Sequence, residues 1–286
     1  MDEGELTECK YRDKIGALLK NNKDGRYMKA YVKSFVQYRF LLKELVKKGI
    51  KLKYRNSYLG IIWSLLEPLL TMIVLTIVFG TLLQKSKDPS FPIYVLCGRL
   101  LYSYFSSSTK SALSSIRKNS SMIKKVYVPK YIYTLSSILY NYVIFLISLI
   151  VLVAVGAVLG VKPSWYLFQA PVVLIVLLML SIGCGFILAT CGVFFRDLEH
   201  LWGVALMLIM YTCAIFYPVE KLIKSGYAWI LKYNPLFCLI DCFRSSIFGE
   251  FVNLHYFLYA LGFSIVTIVI GLWMFYKKQD EFILHI

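Results

Sequence analysis

Long apolar runs separated by short basic stretches set the pattern of this chain. Residues 1–36 are polar and mixed in charge, with a turn signal at Asn21–Gly25, and read as a lead-in on the cytoplasmic side. From Gln37 to Lys53, Tyr38, Leu41, Leu42, Leu45 and Val46 recur at helical spacing, opposite Arg39, Lys43, Lys47, Lys48 and Lys51. That periodicity predicts a basic amphipathic helix over 37–55, lying along a membrane face or packed on a soluble partner. Ile61 to Leu83 then gives mainly apolar sequence, about 35 Å of helix, enough to cross a hydrocarbon core of about 30 Å. Further spans are predicted at 93–108, 133–159, 169–195, 201–217 and 256–276. Between the last two, residues 219–255 are too polar to span and too long for a turn, and they read as two short helices broken at Asn234-Pro235. The expected fold is an all-α integral membrane protein with six transmembrane helices over 61–276 and a tail from 277 to 286.

Composition reinforces this picture. Of 286 residues, 58% are hydrophobic and 17% charged, too apolar for an ordinary soluble domain. The formal net charge of +16 does not indicate nucleic acid, because no reader module accompanies the Lys and Arg, which flank the apolar runs. With both termini inside, the inner segments hold 24 Lys and Arg and the outer ones seven, as the positive-inside rule requires, and Arg99 stands alone in a span. Seven cysteines show no metal spacing, His200, His255 and His285 are scattered, and no cleavable leader is expected at the acidic N-terminus. No metal site, cofactor site or catalytic centre is expected.

Several positions break the apolar pattern. Glu67 lies about two turns into the first span, where a carboxylate must face a wet cavity, stay near the interface or be neutralised. Pro68 beside it removes a backbone donor. Arg99 costs about 2.5–3.5 kcal/mol at mid-membrane on insertion scales, so it must snorkel outward or find an acidic partner. Lys110 to Lys130 carries six basic residues and no acid, and reads as a cytoplasmic loop. Tyr211, Phe216 and Tyr217 end the fifth span as interfacial anchors or as stacking surfaces for sugar rings. Gly183 and Gly185 would let a neighbouring helix approach closely.

The run Tyr54-Arg55-Asn56-Ser57, Leu59-Gly60, Trp63-Ser64-Leu65-Leu66 and Pro68-Leu69 resembles the start of the first span in permease subunits of ABC exporters of cell-surface polysaccharides, the group of the O-antigen and teichoic acid exporters. The likeness continues through Gly98, Tyr102 and Phe105, whereas Glu67 and Arg99 depart from it: relatives commonly carry a neutral polar residue at the first and an apolar one at the second. It implies an entrance and channel lined by Tyr54, Arg55, Trp63, Glu67, Tyr211, Phe216 and Tyr217. Asn119 to Lys130 resembles the coupling helix of these permeases, with Met122, Ile123 and Val126 as an apolar contact for an ATPase and Lys124 and Lys125 beside it. Read from the residues alone, the same stretch is equally a topology-setting basic loop. Arg196-Asp197 matches an Arg-Asp pair at the family's cytoplasmic turn. The segment holding Trp229, Tyr233, Asn234, Pro235 and Arg244 corresponds to re-entrant helices that close the outer mouth.

No GxxxxGK[ST] loop is present, so ATP and Mg²⁺ would be held by a separate ATPase subunit. The resemblance implies a homodimer with two ATPase copies in a bacterial cytoplasmic membrane, exporting a lipid-linked glycan, with lipid contacts and no nucleic acid. Two other classes stay open: an ABC exporter of drugs or small hydrophobic molecules on the same fold, and a membrane enzyme acting on glycans, for which no carboxylate pair stands out.

Overall fold

The computed structural model describes residues 26–82, 90–125, 128–161, 164–217 and 228–282. The turn expected at Asn21–Gly25, the loop at 84–89, Val126, residues 218–227 and the last four residues of the tail lie outside them. Every regular element among the described residues is helical. The chain divides into two compact units, residues 1–44 and 45–286.

The first helix, α1, runs Arg26–Tyr54 and contributes to both units. It starts eleven residues before the expected amphipathic helix, because residues 26–36 hold no Gly or Pro and consist largely of tolerable helix formers. Lys51 and Lys53 lie in its last turn, where cations complement the helix dipole. After it, Gly60 has φ +52°, a left-handed conformation that costs glycine little, and its N–H donates to Ser57 Oγ at 3.2 Å. A turn of tight helix at Gly60–Ile62 leads into α2, Trp63–Leu75, which widens into a π-helical stretch at Thr76–Leu82.

α2 continues through Pro68. Pro68 has no N–H for the carbonyl four residues back, that of Ser64, and the Ser148 hydroxyl supplies a donor at 2.8 Å. Thr71 Oγ1 caps the same region by donating to the carbonyls of Glu67 and Pro68, at 2.8 and 3.0 Å.

α3 runs Phe91–Lys118, ten residues past the expected end of the second span, so the first half of the expected basic loop is helix. The Ser/Thr cluster fails to break it because the hydroxyls bond back onto its own carbonyls: Thr109 to Phe105 at 2.8 Å, Ser115 to Ala112 at 2.7 Å. α4, Ser120–Ile123, is a single turn. α5, Tyr131–Val158, and α6, Ala170–Phe194, follow, the latter entered through a short tight helix at Trp165–Gln169. α7, Leu198–Thr212, stops five residues before the expected end of the fifth span. Its break is marked by Ala214 at φ +47°. α8, Ala228–Lys232, and α9, Pro235–Phe248, are the two short helices expected around Asn234-Pro235, and α10 runs Leu254–Lys278.

Among the described residues, four helical stretches are long and apolar enough to cross a membrane: Gly60–Phe79, Tyr131–Val158, Trp165–Phe194 and Leu254–Lys278. α3 is long enough but too polar, and it packs on both α5 and α6. Its Ser108, Thr109, Ser114 and Ser115 are buried among the other helices. Small residues allow the closest packing. A Cβ on Gly183 of α6 would stand 2.5 Å from Thr267 Oγ1 and 2.7 Å from the backbone of α10, and one on Gly271 would stand 2.7 Å from the Gly183 carbonyl. Gly185 likewise lies against Ile138 and Ala112, so both close approaches expected from the sequence are present.

At the end that carries Lys110–Lys130, a second cluster of Ile116, Tyr133, Phe186, Val193 and Phe275 is closed by Phe282, from beyond α10. The Phe282 ring meets Phe275 edge-on at 5.2 Å, and Lys130 Nζ donates to the Gln279 carbonyl. The start of the tail is therefore part of the core.

Candidate functional site

Two hollows meet beside α2. The first, about 80 Å³, is polar and lies between the start of α2, α3 and α5, with Lys53, Tyr54, Glu67, Arg99, Ser103 and Asn141 in its wall. The second, about 440 Å³, is apolar and is lined by Leu70, Val74, Leu75, Met210 and Phe216. Thr71 and Arg99 belong to both.

Local structure accounts for these positions. The left-handed Gly60 turn brings the end of α1 back against the start of α2, which sets Lys53 and Tyr54 beside Glu67. Crowding at the rim holds the Lys53 ammonium below its ordinary pKa, and Glu67 opposes that shift. Burial raises the Tyr54 phenol, Ser64 opposes, and Glu67 pushes it further up. Asn141 is fixed by donating to the Ser137 carbonyl at 2.8 Å and to Ser111 Oγ at 3.1 Å. In the apolar hollow, Phe216 is stacked on Phe79 with centroids 5.6 Å apart.

Of the residues expected at an entrance and channel, Tyr54, Glu67 and Phe216 line these hollows. Arg55 is exposed at a shallow basic depression with Lys53, Asn56 and Ser57. Trp63, 43% exposed, and Tyr211, 56% exposed, are on the outside of the described bundle, and Tyr217 donates its hydroxyl to the Tyr211 carbonyl. Arg99, read only as an anomaly, sits at the centre of the site. What reveals it is the meeting of α2, α3 and α7 in space.

Of the expected docking residues, Met122, Lys124 and Lys125 are exposed, whereas Ile123 is half-buried against the cluster at Ile116 and Tyr133. Arg196 and Asp197 are exposed, and the Asp197 carbonyl accepts from the N–H groups of His200 and Leu201, while its side chain makes no cap bond. The ion pair at this turn joins Arg117 at the end of α3 to Glu199 at the start of α7, at 2.7 Å. No local pattern points to it, since the partners are 82 residues apart.

The expected outer-gate residues divide in the same way. Trp229 and Tyr233 are exposed, and Asn234 caps α9, its Oδ1 accepting from Leu236 N–H at 3.0 Å, with Pro235 at the first helical position. Arg244 is 3% exposed and internal. Its guanidinium lies 3.5 Å over the Tyr94 ring, and it donates to the carbonyls of Tyr94 and Ala214, both at 3.2 Å. It thus satisfies the backbone freed where α7 breaks.

Among the described residues no cluster of His, Cys, Asp or Glu could hold a metal ion. A family model described as ABC-2 type transporter matches residues 41–248. The chain is 31% identical over 245 residues to the O-antigen export system permease protein RfbA of Klebsiella pneumoniae, covering 85% of this chain and 93% of that protein. It is 29% identical over 253 residues to RfbA of Myxococcus xanthus, covering 88% and 97%. Against the polysialic acid transport protein KpsM of Escherichia coli it is 26% identical over 251 residues, covering 83% and 92%.

Proposed function

From a chain that belongs to the ABC-2 type transporter family, we propose a permease subunit that exports a cell-surface polysaccharide across the cytoplasmic membrane, driven by ATP hydrolysed in a separate subunit. The observation that carries this reading is the polar cavity at the end of the basic helix, which shares Thr71 and Arg99 with an apolar hollow walled by Phe216. Hydroxyl-rich walls followed by an aromatic one suit sugar rings, which hydrogen-bond at their edges and stack on their faces. The relatives named for O-antigen and polysialic acid transport support the same substrate class.

In this reading the six spans are α2, α3, α5, α6, α7 and α10, with both termini inside. α3 crosses with Ser108, Thr109, Ser114 and Ser115 covered by protein, and the short α7 is extended by residues 213–217. α8 and α9 form a re-entrant pair at the outer mouth. The apolar hollow is open on one side, and the helices flanking it, α2 and α7, expose Ile73, Val74, Val204, Met207 and Leu208. A second copy facing the first would close it, giving a homodimer with two ATPase subunits that hold ATP and Mg²⁺. The glycan enters attached to its lipid carrier, with Lys53 and Arg55 beside the carrier's phosphates. Met122 at the turn after α3 is the apolar contact for the ATPase, and closure of the ATPase pair reaches α7 through Arg117 and Glu199.

The test is the ATPase rate of the co-purified complex in lipid, with extracted lipid-linked glycan or with small hydrophobic compounds. Stimulation by glycan, reduced at least tenfold in Met122→Asp while the isolated ATPase keeps its rate, is the expected result. Stimulation by the small compounds alone would assign the chain to the drug-exporting branch of the same fold.

A further inference from the structure

We propose that Arg99 anchors an oxyanion-binding site at the junction of the two hollows, which takes a carboxylate or phosphate carried by the passing saccharide. The inference rests on the polysaccharide reading and narrows it to an acidic polymer. Arg99 lies eight residues inside α3, about 12 Å from its Phe91 end. An arginine at such depth is expensive unless its charge is met. Among the described residues no carboxylate pairs with it. Its Nη1 reaches Met210 Sδ at 3.9 Å, a weak neutral acceptor, and it takes part in no ion pair among the described residues.

Glu67 lines the same polar cavity, but no ion pair joins it to Arg99 among the described residues. Lys53 and Arg99 set two positive charges in the wall against the one carboxylate of Glu67, so the wall is net positive. Ser103 and Ser107 follow Arg99 at intervals of four on α3, so the three share a face directed at this cavity, opposite Asn141. A planar guanidinium with five donors accepts a carboxylate or phosphate in two parallel bonds, and the hydroxyls behind it suit the neighbouring sugar oxygens. Because Arg99 borders both hollows, each acidic sugar would meet it in turn.

The same chemistry could be presented by a lipid phosphate, and the experiment separates the sources. Binding of carboxymethyl-dextran and of neutral dextran of equal length is measured on the complete permease–ATPase complex, in nanodiscs of phosphatidylcholine alone and with phosphatidylglycerol added. Wild type is expected to favour the carboxymethylated chain by about tenfold, the scale of one charge-assisted bidentate contact. Arg99→Leu removes the preference and Arg99→Lys keeps part of it. Both variants should stay monodisperse, since Leu is less costly than Arg in a span and Lys costs about the same. A preference abolished by phosphatidylglycerol would make lipid phosphate the occupant and overturn the saccharide as its source. Equal binding of both dextrans, unchanged in Arg99→Leu, would overturn the anion site and leave polysaccharide export standing. Binding of neither dextran would count against the polysaccharide reading itself.

Discussion

Pro68 and Ser148 show how a single residue's chemistry is answered from a distant helix. The Ser64 carbonyl loses its intrahelical donor to Pro68 and gains the Ser148 hydroxyl, so Ser148→Ala should lower the unfolding free energy by about 1 kcal/mol. In a Pro68→Ala background the same change should cost much less, and a double-mutant cycle read by thermal unfolding in detergent measures the difference. Arg244 holds the broken end of α7 through two carbonyls and one aromatic face. Arg244→Lys, which keeps the charge but loses the fork, should destabilise by about 2–3 kcal/mol in the same assay. The sequence marks Pro68 as an anomaly but cannot name Ser148. It places Arg244 in the right segment, yet the carbonyls that bury it belong to Tyr94 and Ala214, which only the folded chain brings near. Gly60 was legible as part of a motif, and its left-handed φ supplies one physical reason for it.

At the scale of elements, hydropathy locates α2, α5, α6 and α10 to within a few residues, because lipid-facing helices advertise themselves by composition. α3 escapes that logic. Packed on α5 and α6, it buries Ser108, Thr109, Ser114 and Ser115 against protein and turns Arg99, Ser103 and Ser107 to the polar cavity, and a window average mistakes its second half for a loop. The contact of α6 with α10 was visible in the glycines, though not which helix they would meet. There, Gly183→Ala forces a methyl to within 2.5 Å of Thr267 Oγ1 and nearly as close to the α10 backbone. The expected cost is about 1–3 kcal/mol, whereas Gly262→Ala, whose added Cβ meets nothing within 4 Å, should leave the thermal midpoint unchanged or raised.

For the molecule as a whole, the apolar face of α7 beside the open hollow separates a dimeric exporter from a solitary bundle. Single cysteines introduced into a cysteine-free chain test this in native membranes. Leu208→Cys on α7 should cross-link to a second copy, while Val153→Cys on α5, equally exposed but away from the hollow, should not. Equal cross-linking at both would place the partner elsewhere. One further consequence follows from the position of Arg99, and it concerns what the membrane must keep out. A pathway wide enough for sugar would also admit protons and sodium ions, driven inward by a membrane potential worth about 2.3 kcal/mol per charge for each 100 mV. A fixed positive charge shared by the walls of the two hollows repels small cations while it admits an anionic chain. The residue that recognises the cargo thereby also insulates the cell whenever the cargo is absent.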